Sequence, residues 1–334
     1  VSAIADVARA AGVSKSTASR ALSGRGYVSE STRARVVSAA ASMGFVVSMN
    51  ASSLVTGQTR NVGVVIPFLT RWFFSEVLEG IESALIAAGY DLTLYRLSPD
   101  ADERRRIFDY FLVRKRVDAV IAVGIALTSD EVEMLTALGK PIVGIGGVIS
   151  GISTLSIDDA HVMTLATEHV IALGHTRIMH LGGNQDDQMD FRVPAQRLRA
   201  FRAALTSAGI GGADDFRETE FSIQAGHAIA LSVLSEADHP TAIVAACDEV
   251  AIGVIIAARE LGIRIPEQLS VVGIDDHDLS EMFGLTTVRQ APVQQGALAV
   301  EQVMRELLDE VGGDASITLP VSLEVRSSTG PVYS

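Results

Sequence analysis

Cysteine is almost missing from this chain: among 334 residues there is one, Cys247. No internal disulfide framework can form, and a reducing compartment is expected. No stretch approaches about 18 uninterrupted apolar residues, and no basic start precedes an apolar block, so neither a membrane span nor an export signal is expected. The signatures of common enzymes are missing too. There is no phosphate-cradling GxxxxGK followed by Ser or Thr, no GxSxG elbow and no HExxH. The stretch GIGGVISG at Gly144–Gly151 lacks GxGxxG spacing, and His175 and His180 have no nucleophile expected beside them. No catalytic residue, cofactor or metal is expected; the DDHD run at Asp275–Asp278 reads as a strand-end loop.

Acidic residues are scarce at one end and abundant elsewhere. Residues 1–60 carry seven Arg or Lys against Asp6 and Glu30, a net +5, which leaves −18 for the rest of a chain whose total is −13. A basic head on an acidic body suits a protein that brings one end to a polyanion while the body stays away. At this length more than one hydrophobic core can form, and one to three domains are expected.

The basic end holds a recognisable unit. Ile4, Val7, Ala8 and Ala11 form the apolar stripe of a first helix, with small residues at Ala8, Ala10 and Ala11 permitting close approach. A turn at Gly12 leads to a second helix whose Ala18, Ala21 and Leu22 share one face, while Lys15, Ser16, Ser19 and Arg20 share the other. Two readings fit: a solvated helical hairpin, or a helix-turn-helix that places its second helix in a major groove. Ser29 is the expected N-cap of a third helix running to about Met43, with Val36, Val37, Ala40 and Met43 buried and Gly44 ending it.

Residues 46–60, VVSMNASSLVTGQTR, are rich in Ser, Thr and Gly, and Leu54 is a bulky apolar group among them. They read either as a passive linker or as a segment that folds on DNA and wedges Leu54 into a minor groove. From Asn61 onward strands alternate with helices, starting with the β-branched run VGVVIP expected of a strand buried on both faces. The alternation restarts after TLSID at Thr154–Asp158 and closes with a helix over Val293–Val311 and a strand over Ile317–Val325. Two doubly wound halves follow, with ligands favoured at the carboxyl ends of their strands.

These residues resemble the LacI/GalR family of bacterial transcription regulators from end to end. The family opening DVAxxAGVSxxTVSRxLNG is matched at Asp6-Val7-Ala8, Ala11-Gly12-Val13-Ser14, Thr17-Ala18-Ser19-Arg20 and Leu22-Ser23-Gly24, and YVSxxTRxRV is intact from Tyr27 to Val36. TGxT at Thr56–Thr59, the pair Phe73-Phe74, LGH at Leu173–His175, VVGIDD at Val271–Asp276 and TTVRQ at Thr286–Gln290 complete the match. An exported solute-binding protein would share the fold from residue 61, but not the basic headpiece.

The resemblance implies an N-terminal all-α helix-turn-helix headpiece (1–47) and a hinge (48–60). Beyond them it implies an α/β two-lobed, periplasmic-binding-protein-like core of two doubly wound parallel sheets. One lobe is expected from 61–160 with 290–316 and the other from 161–289 with 317–330. It further implies a cytoplasmic, nucleoid-associated homodimeric repressor of a catabolic operon that reads a palindromic operator. Lys15 and Ser16 take the base-reading positions, Arg20 faces the groove, Thr17 and Ser19 make backbone or packing contacts, Tyr27 flanks them, and Leu54 becomes the minor-groove lever. Ala3 replaces a capping Thr, and Val47-Ser48 replaces the usual Pro-Asn before the hinge.

For the cleft, the resemblance places Phe73, Phe74, Arg197, Phe221, Cys247 and Asp275 around a small-molecule effector, expected to be a sugar or related metabolite, with a purine-type corepressor as the lesser alternative. Arg197 would offer a planar fork to hydroxyls or a carboxylate. Asp275 would accept from sugar hydroxyls, Phe73 and Phe221 would stack on a ring, and one of Phe73 and Phe74 would be buried. Asp276 is expected to act as a local cap. Cys247 stands where many relatives have Asn, which removes a hydroxyl-binding amide. Asp186, Asp187 and Asp190 with Arg192 read as a solvated rim.

Overall fold

The computed structural model describes residues 4–23, 26–45, 58–97, 100–114, 117–137, 139–185, 191–211, 215–308 and 315–332. The chain divides into two compact units, Val1–Arg60 and Asn61–Ser334. Leu54 and Val47-Ser48 lie outside the described residues.

The first unit contains α1 (Ile4–Ala10), α2 (Lys15–Ser23) and α3 (Glu30–Ser42). Val7, Ala8 and Ala11 pack against Ala18 and Ala21 and against Val36 and Ala40. Gly12 turns the chain between the first two helices at φ 65°, a left-handed conformation that glycine adopts without Cβ strain. Ser29 caps α3, its hydroxyl accepting from the Thr32 amide at 3.4 Å. Two details depart from expectation. Val37 is 50% exposed, because it lies about 100° round the helix from Val36, and the inward stripe runs through Val36, Ala39, Ala40 and Met43. Ala10 is exposed and takes no part in the helix contact.

The second unit is built on two six-stranded sheets, their strands numbered in chain order. The first holds β1 (Asn61–Ile66), β2 (Asp91–Arg96), β3 (Ala119–Val123), β4 (Ile142–Ile145), β5 (Ser153–Ser156) and β11 (Ser316–Thr318), ordered β11-β5-β4-β3-β1-β2 and all parallel. The second holds β6 (Ile178–Gly182), β7 (Phe216–Glu218), β8 (Ala242–Ala245), β9 (Ser270–Asp275), β10 (Thr286–Arg289) and β12 (Ser322–Glu324), ordered β12-β10-β9-β8-β6-β7. Only β12 runs antiparallel, against β10. The central strands β3, β6 and β9 are buried along their whole length, which is why their sequences are largely apolar, with His180 in β6 and Ser270 and Asp275 at the ends of β9 as the polar exceptions.

The chain passes between the lobes three times: after β5, after β10 and after β11. The strand expected over Ile317–Val325 is two strands, one in each sheet. Pro320 between them has no N–H to continue a ladder. Ser316–Thr318 therefore belongs to the first lobe, although residues from 317 were expected in the second. The first crossing also comes slightly earlier than expected, since α7 (Asp159–Ala172) packs on β8, β9 and β10. Strand β10 and the short helix Ser280–Phe283 were not anticipated.

Each lobe contains a pair of helices in very close contact. In the first, α4 (Trp72–Ala88) crosses α12 (Pro292–Leu307) at Gly80 and Gly296. A Cβ at Gly80 would lie 2.0 Å from the Val293 carbonyl oxygen, and one at Gly296 would lie 2.2 Å from that of Val77. In the second, α9 (Ile223–Leu234) meets α10 (Asp248–Glu260), where Gly226 and Gly253 leave 2.6 and 2.4 Å to backbone oxygens of Val250 and Ile223. Glycine inside a helix costs about 1 kcal/mol of propensity, and here it admits the neighbouring backbone.

Gly296→Ala should therefore destabilise the protein despite its better helix propensity, by about 1–3 kcal/mol as for an overpacked core. A thermal denaturation midpoint at or above the parent value would show that the two helices do not approach this closely.

Candidate functional site

On the headpiece, Lys15, Ser16, Ser19 and Arg20 are exposed along one side of α2, and Ala18 and Ala21 are buried on the other. Thr17 is half-buried: its amide donates to the Ser14 hydroxyl at 3.1 Å and its own hydroxyl lies 2.8 Å from the same oxygen. That places Thr17 in the helix cap. Arg20 donates from Nε to the Ser16 carbonyl at 3.3 Å, which lays its stem along the helix. Tyr27 follows the turn and is 92% exposed. The surface offers two cations, hydroxyls and a phenol, the groups that contact phosphates and base edges.

In the second unit, all six residues expected in the cleft line a single cavity of about 110 Å³ between the lobes. Gly124, Gly146, Ile157, Cys247 and Asp275 reach it from the carboxyl ends of strands, where open α/β sheets leave their strand-end crevice. Phe73 and Phe74 come from the first turn of α4. Phe74 is the buried one, packed in the first-lobe core at 5.3 Å and 82° from Phe73, and both still line the cavity. A side chain at Gly124 would collide with the Phe74 ring, 2.5 Å away.

Arg197 departs from its expected role. It sits on α8 (Val193–Ser207), and its guanidinium is held within the protein. Nε and Nη2 donate to Asp159 Oδ1 at 2.9 and 2.6 Å, and Nη1 donates to the Ala246 carbonyl. A buried guanidinium needs such partners. Three of its N–H groups are thus committed, leaving a partial fork for a ligand.

Asp275 has φ 126°, a strained value for a non-glycine residue. It accepts from Gln290 Nε2 at 2.6 Å, and Gln290 Oε1 accepts from Gln295 Nε2 at 2.9 Å. This buried chain runs from a second-lobe strand, through the crossing after β10, to a first-lobe helix. Asp248 lies beneath it, fully buried at the start of α10, accepting from the His277 amide and the Ser280 and Thr287 hydroxyls at 2.9, 2.6 and 2.7 Å. Burial, then the charge of Asp275, pushes the Asp248 carboxyl up from its ordinary range. Burial likewise raises Asp275, against the downward pull of Arg197 and Gln290. Burial first, then Asp275, pushes the Cys247 thiol up, so it lines the cavity as a neutral S–H.

Asp276 does not act as a local cap. Its carboxylate pairs with Arg326 at 2.6 Å, with Arg289 at 3.7 Å. Among the described residues no group of three or more His, Cys, Asp or Glu is placed to hold a metal ion. Asp186, Asp187 and Asp190 lie outside the described residues; Arg192 precedes α8 in a left-handed conformation.

Sequence reasoning passed over several cavity residues. Asp159 and Gln290 sit where the chain crosses between lobes, and Gln290 was visible only as the end of TTVRQ. Arg71 stacks its guanidinium 3.5 Å over the Phe68 ring and 6.0 Å from that of Phe221, within range of a cation–π attraction. Phe191 reaches from the second lobe onto Gly147 of the first, where a Cβ would lie 2.3 Å from the ring. Trp72 and His277 also link the lobes, with rings stacked at 4.9 Å. No local periodicity marks these residues.

Comparison with known proteins matches this geometry. The pattern of bacterial regulatory proteins of the lacI family matches residues 3–48, and a periplasmic binding protein-like domain matches residues 167–329. The chain is 30% identical to catabolite control protein A of Priestia megaterium over 331 residues, covering 98% of both chains. It is 31% identical to the HTH-type transcriptional repressor PurR of Vibrio vulnificus over 331 residues, covering 97% of this chain and 98% of that one. Among solved structures, it matches the Lac repressor dimer bound to operator and the anti-inducer ONPF at a TM-score of 0.87 and 26% identity, covering 98% and 99% of the two chains. These relatives are transcription regulators and not enzymes. The chain belongs to the LacI family of bacterial regulatory proteins, as a DNA-binding regulator of the repressor type with a periplasmic-binding-protein-like effector domain.

Proposed function

We propose that this regulator is a homodimeric, cytoplasmic repressor of a catabolic operon whose two headpieces read the half-sites of a palindromic operator, and whose interlobe cavity takes a sugar or sugar-derived effector. The observation that carries the reading is the meeting of Phe73, Phe74, Arg197, Phe221, Cys247 and Asp275 around one cavity at the strand ends. Aromatic faces beside buried carboxylate and amide groups suit a ring with one apolar face and hydroxyl edges. Lys15, Ser16 and Arg20 contact the major groove, Tyr27 and Ser19 the backbone, and Thr17 sets the helix start. Residues 48–60 form the hinge, with Leu54 as the minor-groove wedge. The effector changes lobe closure at the three crossings, and the hinge transmits the change to the headpieces. The relative PurR, a repressor by name, keeps a purine-type corepressor as the second reading.

The buried acids give the core a defined response to pH. A carboxyl raised in the folded state holds a proton that the unfolded chain has released, so stability falls as pH rises through the interval between the two values. The histidines act in the opposite sense: burial lowers His180 to about 4, so its contribution is gained as pH rises toward the ordinary histidine value and is complete above it. Above about pH 6.5 the carboxyls are therefore the visible groups.

Three outcomes are expected. Arg20→Ala should weaken operator binding in gel shifts by about tenfold or more, the scale of one good groove contact, while Leu54→Ala should mainly shrink the gap between operator and random DNA. Unchanged affinities in both would remove the headpiece assignment. Asp275→Ala should leave operator binding intact and abolish the effector response; a normal dose-response would take Asp275 out of the site. Melting of the full chain should occur at progressively lower temperature from about pH 6.5 to about pH 8.5, and Asp248→Asn should flatten that slope. An equal slope in the variant would mean that Asp248 is ionised throughout.

A further inference from the structure

The inner cavity has a neighbour. Phe68, Arg71 and Phe221 line it and also line a second, outer cavity of about 630 Å³, whose remaining walls are Gly183, Asn184, Pro194, Glu218, Thr219 and Glu220. The outer cavity lies past the carboxyl ends of β6 and β7, since Gly183 follows Gly182 and Glu218 closes β7. The three shared side chains thus stand between a small inner chamber and a large open one.

We infer that the effector is a neutral two-ring carbohydrate, with one ring in the inner chamber and the second in the outer chamber, the linkage passing between Phe68 and Phe221. This rests on the cleft reading above and specifies its ligand. The inner chamber is too small to take two rings, at about 110 Å³. At the mouth, Phe221 and the face of Phe68 that Arg71 leaves uncovered are apolar surfaces of the kind that meet the C–H face of a pyranose. Phe68 is 37% exposed, and Glu218 and Glu220 face solvent, so their carboxylates accept hydroxyl hydrogens without repacking. The Arg71 guanidinium lies over the Phe68 ring and its charge faces Glu249, so its positive charge is already met while its N–H groups can still donate to a ring or bridging oxygen.

The charge around the two chambers argues for a neutral ligand. Asp159, Glu249 and Asp275 line the inner chamber and Glu218 and Glu220 the outer one, against Arg71 and Arg197. Arg197 is already paired with Asp159. A phosphate or a uronate would meet carboxylates with little to offset them. A single flat ring, sugar or purine, would leave the outer carboxylates and the exposed Phe68 face without a role.

The test uses the full chain in thermal-shift and calorimetric titrations with glucose, galactose, cellobiose, lactose, maltose, glucose 6-phosphate and hypoxanthine. At least one disaccharide should bind more tightly than its component monosaccharides. Glu218→Ala and Glu220→Ala should each reduce that preference by about tenfold, the loss of one hydrogen bond to a charged group. Glucose 6-phosphate or hypoxanthine binding as tightly as any disaccharide would overturn the inference. So would a monosaccharide that matches its disaccharide, a preference unchanged in both variants, or no binding by any sugar. Asp275→Ala separates the two levels: it should abolish binding of mono- and disaccharide alike. Binding that survives it would take Asp275 out of the site and count against the cleft reading, whereas indifference confined to Glu218→Ala and Glu220→Ala sinks only the two-ring ligand.

Discussion

A guanidinium taken out of water must bring its counter-charge with it, and the Arg197–Asp159 pair meets that requirement at the floor of the cleft. Asp159 opens the helix that follows the first crossing between the lobes, and Arg197 also donates to the carbonyl of Ala246, next to Cys247. One buried charge pair therefore fixes the end of β8, the start of α7 and the second turn of α8 relative to one another. Remove either partner and an uncompensated charge is left in the core, a loss of about 3–5 kcal/mol. The positive charge also restrains the rise in the Asp275 pKa. The pair lines the same cavity as Asp275, Gln290 and Gln295.

Both lobes repeat one strand order, and they differ at the last strand, parallel in one sheet and antiparallel in the other. That difference follows from a chain that runs from β11 into β12 almost without interruption, with Pro320 as the break. The polar chain Asp275–Gln290–Gln295 spans another crossing. Buried amides and carboxylates placed there are costly unless every donor and acceptor is matched. A ligand that competed for Asp275 would also disturb the hydrogen bond that ties the crossing down.

Much of this was legible in the sequence, and the reasons are specific. The family motifs are contiguous or regularly spaced, so Gly12 to Gly24 and VVGIDD could be matched directly. Strands buried on both faces announce themselves as β-branched runs, as β1 does. Phe73, Phe74 and Asp275 were found because each sits in such a motif, and Arg197, Phe221 and Cys247 because the family resemblance maps its effector positions there. What was missed depends on contacts distant in sequence. Asp159 was hidden because its partner is 38 residues away, and Phe191 because it leaves the second lobe to pack on the first. Asp276 was misread because Arg326, its partner, lies 50 residues further on. Val37 was misplaced for a local reason: three apolar residues near one turn cannot all face inward.

The two glycine-mediated helix crossings bear on how such a protein could respond to a ligand. In each lobe a backbone oxygen occupies the space a Cβ would need, and backbone yields far less than a flexible side chain. Packed interiors of this kind change by discrete rearrangement more readily than by gradual deformation. Each lobe is therefore expected to move as a body, and the freedom to open or close falls to the three short crossings. The cavity floor is built on two of those crossings, through Asp159 and Gln290. Occupancy of the cavity and the angle between the lobes thus involve the same few residues.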